Sequence, residues 1–169
     1  MADIVELIYE DHDWFRKRFL LLDGCRSSEE LAAVWEPLAD RLDTHAQAEE
    51  EIFYPVLLKK GGEGGDPEDE AEDAITDHNA IRDAVRSSRD AEVDSEAWWE
   101  AVTKAREENG EHLEEEEREA MTDAVKSLSL DQRHELAMQW LVFYARHRAG
   151  QGVDDSDKDP DAYIEEHSE

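Results

Sequence analysis

Two stretches of the chain repeat one arrangement, His45-Ala-Gln-Ala-Glu49 and His112-Leu-Glu-Glu-Glu116. Each residue of an α-helix turns about 100°, so side chains four apart share a face. Both pairs fall on faces that are otherwise apolar. One reads Leu38, Leu42, His45, Glu49, Ile52, Val56; the other reads Trp98, Val102, Ala105, Asn109, His112, Glu116, Ala120. Two further histidines sit the same way, His12 between Ile8 and Phe15, and His78 between Ile75 and Ile81. Charged groups at core positions are costly unless neutralised, and a bound metal neutralises them. Imidazole with carboxylate is a donor set for iron, manganese or zinc rather than calcium.

The elements that carry these residues have to gather them. Histidines at positions 12, 45, 78 and 112 stand at nearly equal intervals, the spacing that helices folded up and down need to bring them to one level. A single inward histidine is most often an ordinary core residue, but six polar groups at one level require a common reason. Apolar periodicity predicts five helices and no strand. The first runs from about Asp3 to Leu22, with Ile4, Ile8, Phe15, Phe19 and Leu22 inward. The second runs from Ser28 to Leu58, opened by a capping box of Ser27 and Glu30. The third follows Asp66 and Pro67, with Ile75, Ile81 and Val85 inward. The fourth spans Ser95 to Leu128, with Ala120 and Val125 on its inner face. The fifth opens on a Ser129/Gln132 capping box and carries Leu136, Trp140, Phe143, Tyr144 and His147 to about Gly150.

This pattern is an all-α chain: an antiparallel up-and-down four-helix bundle over residues 1–128, an additional helix over 129–149, and an acidic, mostly flexible tail over 150–169 in which Tyr163 and Ile164 offer a small docking point. The aromatic content of the additional helix needs burial, against the bundle or in a homodimer. The formal net charge of −29 argues against nucleic acid and against anionic membrane surfaces, which repel such a chain. One cysteine, Cys25, fits a reducing compartment. No basic-then-apolar leader opens the sequence and no apolar run is long enough to cross a bilayer, so the expected location is the cytoplasm.

The set His12, His45-x-x-x-Glu49, His78 and His112-x-x-x-Glu116 resembles the hemerythrin-like HHE cation-binding family over about residues 3 to 128. The resemblance implies two iron ions, oxo- or hydroxo-bridged, with the four histidines as terminal ligands and Glu49 and Glu116 as bridges. The chain departs from the oxygen-carrying hemerythrins, which place a second histidine four residues on in the third helix. Here that residue is Arg82. Fewer protein ligands leave both irons open, which favours turnover of a small oxidant over reversible oxygen storage. The resulting expectation is an oxidoreductase that decomposes hydrogen peroxide in a catalase-like reaction, with nitric oxide or dioxygen reduction as neighbouring chemistry; a protein that binds or senses oxygen, nitric oxide or iron without turnover is the alternative. Two more residues are candidates near the centre. Tyr54 points about 180° from His45 on a regular helix, but Pro55 removes a helix hydrogen bond and distorts the turn before it, so the phenol can reach the centre as an extra ligand or as a hydrogen-bond partner of one. Asn109 lies a turn before His112. Outside the set, His134, His147 and His167 read as ordinary, and Glu50, Glu51, Glu114, Glu115 and Glu117 read as solvated.

Overall fold

The computed structural model describes residues 1–168. The regular structure among those residues is all helical, with no strand. Helix α1 spans Ile4–Leu22, α2 Ser28–Ala48, α3 Tyr54–Lys60, α4 Pro67–Asp90, α5 Glu96–Arg118, α6 Ala120–Ser127, α7 Leu130–Arg146 and α8 Pro160–His167. Between α2 and α3 the chain stays helical but widens into a π turn at Glu49–Phe53.

Short polar side chains start these helices by accepting amide protons that have no partner inside the helix. Asp3 takes the Val5 N–H at 3.0 Å, Asp66 takes that of Glu68 at 3.2 Å ahead of Pro67, and Ser95 takes that of Trp98 at 3.2 Å. Ser129 and Gln132 close the expected capping box. The Ser27 box is only half made: its hydroxyl accepts from Glu30, but the Glu30 carboxylate turns to the Arg26 amide.

Helix α1 packs on α2 and α5, and α4 packs on the same two. Their apolar faces form two separate clusters. Ile4, Ile8, Phe53, Leu57, Ile75 and Met121 belong to one, and Phe15, Trp35, Leu38, Ile81, Trp98 and Val102 to the other. The predicted polar residues lie between the clusters. On α1, His12 separates Ile8 of the first from Phe15 of the second; on α4, His78 separates Ile75 from Ile81. Helix α7 lies on α1 and α2 through Leu136, Trp140 and Phe143, and α8 lies on α3 and α4. The tail, expected to be mostly flexible, is laid against the helices: Tyr163 is buried, and Asn79 pairs through its amide with both main-chain groups of Lys158.

Two inner faces differ from the sequence reading, for local reasons. The π turn takes up one extra residue and rotates the residues beyond it by about 100°, so Phe53, Tyr54 and Leu57 are buried while Val56 is only partly so. The fourth predicted helix breaks at Glu119 (φ −108°, ψ −77°) into α5 and α6. Ala120, Met121 and Ala124 then face inward, and Val125, expected inside, is 51% exposed.

Candidate metal centre

The structure brings all six predicted residues together. His12, His45, Glu49, His78, His112 and Glu116 are each at most 4% exposed. They fall into two groups that could hold a metal ion, His12, His45, Glu49 and Glu116 in one and Glu49, His78 and His112 in the other. Glu49 belongs to both. Its Oε1 lies 2.8 Å from His45 Nε2, and its Oε2 lies 3.0 Å from His78 Nε2 and 3.7 Å from His112 Nε2. Glu116 is used differently: its Oε2 faces His12 Nε2 at 3.1 Å and His112 Nε2 at 3.9 Å, while its Oε1 accepts a hydrogen bond from Tyr54 at 3.0 Å.

Four of these atoms test whether a cation fits. His12 Nε2, His45 Nε2, Glu49 Oε1 and Glu116 Oε2 are buried without a hydrogen-bond partner, one from each of the four residues of the first group. They approach each other closely but are not aligned to bond one another. Buried polar atoms are nearly always satisfied, and a cation among them would satisfy all four.

Each imidazole is held from behind by a carboxylate. His12 Nδ1 meets Glu117 at 2.8 Å, His45 Nδ1 meets Asp11 at 3.1 Å, His78 Nδ1 meets Glu50 at 2.9 Å, and His112 Nδ1 meets Asp77 at 3.4 Å. A carboxylate there holds the Nδ1 proton and orients Nε2 toward the centre. The four pairs close a ring: α1 supplies the acid for α2, the π turn for α4, α4 for α5, and α5 for α1. Further cations anchor the acids. Arg16 pairs with Glu117, Arg41 with Asp11, and the fully buried Arg82 with Glu50 at 2.9 Å. Arg82 thus braces His78 indirectly, at the position where an oxygen carrier places a ligand.

The electrostatics follow this geometry. Burial opposes charge on His45, but the Glu49 and Asp11 carboxylates outweigh it and push the imidazolium up to about 10. Burial likewise opposes ionisation of Glu50, which His78 and Arg82 nevertheless lower to about 2; His12 and Arg16 do the same for Glu117, also to about 2. The Tyr54 phenol is raised well above its ordinary value, by burial first and then by Glu116 and Glu49, so it remains a donor. A cavity of about 20 Å³, room for about one water, reaches the centre beside Tyr54, His112 and Glu116, and Glu70, Asp73, Asp77, Glu115 and Glu119 line it as well.

The sequence profile of the hemerythrin HHE cation binding domain matches residues 3–124. The chain belongs to this family. No curated protein and no solved structure matches it.

Within this hemerythrin-family chain, sequence reasoning misses Asp11, Glu50, Asp77 and Glu117, and assigns two of them, Glu50 and Glu117, to solvent. A signal is there. Each of the four stands next to a ligand candidate, as Asp11-His12, Glu49-Glu50, Asp77-His78 and Glu116-Glu117. Adjacent helix positions diverge by about 100°, so the neighbour serves the adjoining helix. Tyr54 is brought to the centre by the π turn. Asn109 is buried one turn before His112, and its side chain makes no hydrogen bond to the six residues among those described. His134, His147 and His167 lie away from the centre, each on a main-chain carbonyl. No described helix is long and apolar enough to cross a membrane.

Proposed function

We propose that this hemerythrin-family chain is a di-iron oxidoreductase that acts on a small oxidant, with hydrogen peroxide as substrate in a catalase-like reaction. The observation that carries it is the set of four unpartnered buried atoms, two imidazole nitrogens and two carboxylate oxygens, inside a ring of carboxylate-braced histidines. The antiparallel up-and-down four-helix arrangement is part of the proposal. It is supported by the order of the two apolar clusters on either side of the histidines, which reverses from α1 to α2 with its π turn, again to α4, and again to α5 with α6, where Leu113 alone of the second cluster follows His112.

In this reading Glu49 would offer one oxygen to each group, and Glu116 would offer Oε2, which faces His12 and His112. Bound irons supply the change of oxidation state that disproportionation of peroxide into water and dioxygen needs. The chain's own work is orientation. Asp11, Glu50, Asp77 and Glu117 hold the Nδ1 protons, and Tyr54 keeps its phenol proton on Glu116 Oε1, which leaves one oxygen of that carboxylate for the centre. The small cavity excludes bulky reductants. A cytoplasmic location fits the free Cys25. Met138, Leu141 and Val142, exposed along α7, support pairing of two copies through that helix, which sedimentation equilibrium checks.

The deciding experiment counts iron in the purified protein and then follows oxygen release after addition of peroxide. About two irons per chain with sustained gas release is the expected result. Iron with reversible oxygen binding and no turnover points to a carrier or sensor, and the absence of bound metal after iron loading refutes the proposal.

A further inference from the structure

The π turn leaves one main-chain acceptor without a helical donor. The Tyr54 N–H donates five residues back to the Glu49 carbonyl; in an α-helix it would serve Glu50. The donor that the wide register offers Glu50 instead is residue 55, and Pro55 has no N–H. The Glu50 carbonyl is therefore orphaned, on a residue only 2% exposed, where an unpaired carbonyl is strongly disfavoured. Tyr163 supplies the missing donor from the far end of the chain: its hydroxyl bonds the Glu50 carbonyl at 2.6 Å.

The same segment reaches the Glu50 side chain. Lys158 Nζ lies 3.1 Å from Glu50 Oε2, while Glu50 Oε1 holds His78. The segment is fastened on both sides of this contact. Asn79 donates to the Lys158 carbonyl at 2.7 Å and accepts from its amide at 2.9 Å, and Gln47 accepts from the Asp154 amide at 2.9 Å.

We propose that residues 154–167 are a strap that positions the metal centre: Tyr163 fixes the register of the π turn and hence Tyr54 on Glu116, and Lys158 steadies Glu50 on His78. Tyr163 is a positioning residue that acts through Glu50. The inference rests on the metal-binding reading for its iron readout alone.

The test begins with Tyr163→Phe in the full chain without metal, a change that keeps the ring and removes the hydroxyl. Hydrogen exchange at the Tyr54, Val56 and Leu57 amides is expected to quicken about tenfold, with Val102 and Ala105 in α5 unchanged. Pro55→Ala provides the discriminating background. It restores a donor for Glu50 in either register, the new amide at position 55 in a wide turn or that of Tyr54 in an α turn. Tyr163→Phe in that background should alter exchange less than about twofold. A tyrosine that only fills space gives equal effects in both backgrounds. Equality, or no effect in the first, overturns the proposal. With iron(II) loaded, release to a chelator should be about tenfold faster in Tyr163→Phe than in the parent chain, and equal rates refute the strap's hold on the centre. Failure of the parent chain to take up iron counts against the function proposed above and leaves the exchange result to decide the strap.

Discussion

An imidazole whose Nδ1 proton rests on a carboxylate is a better electron-pair donor at Nε2 and is fixed in orientation. Glu50→Gln and Asp77→Asn should therefore weaken metal binding by about 10–100-fold, read by competition with a chelator. Asp13→Asn, which touches only the exposed Lys17, should leave it unchanged. His45→Ala and Glu49→Ala should abolish loading, and His134→Ala should not; equal iron content in all three variants contradicts the assignment. The six central residues are legible in the sequence because histidine and glutamate are conspicuous on an apolar stripe. Their carboxylate partners are not, since a single helix places Glu50 and Glu117 off the inner face, and only the neighbouring helix shows what they meet. Arg82 is the clearest example. Its replacement of an imidazole is plain in the sequence, whereas its burial against Glu50 depends on packing that periodicity does not encode.

At the scale of an element, register is what the sequence conveys least well. The helices are plain from their apolar spacing and their Ser, Asp and Pro caps. The π turn and the break at Glu119 are not, because each displaces the inner face by a fraction of a turn while helical periodicity continues on both sides. Pro55 does mark the first of these as irregular. The second yields a direct check. With α6 re-registered, Met121→Glu places a charge at a site 1% exposed and should destabilise the protein by about 3 kcal/mol or more. Val125→Glu should change stability by no more than about 0.5 kcal/mol. Urea unfolding of the two variants measures both, and the opposite ranking would restore an unbroken fourth helix.

For the molecule as a whole, the dominant fact is negative charge. Like charges strain the folded state, and added salt screens them, so melting temperature should rise with sodium chloride. Glu70 carries part of this strain: burial first, then Asp123 and Glu119, raise its carboxyl from 4.5 to about 7. A carboxyl raised on folding has no effect on stability below its unfolded value and lowers it as pH climbs from 4.5 toward 7. Glu70→Gln should thus be neutral at pH 4 and stabilising by roughly 1–3 kcal/mol at pH 8, seen in thermal melts at the two pH values. The carboxylates of Glu70, Asp73, Asp77, Glu115 and Glu119 around the cavity also have a kinetic consequence. They make its mouth a charge filter, open to uncharged peroxide, dioxygen and nitric oxide but repelling azide, cyanate and superoxide. Inhibition by such anions should be slow at low ionic strength and accelerate as salt is added, while the rate with peroxide stays nearly flat over the same range.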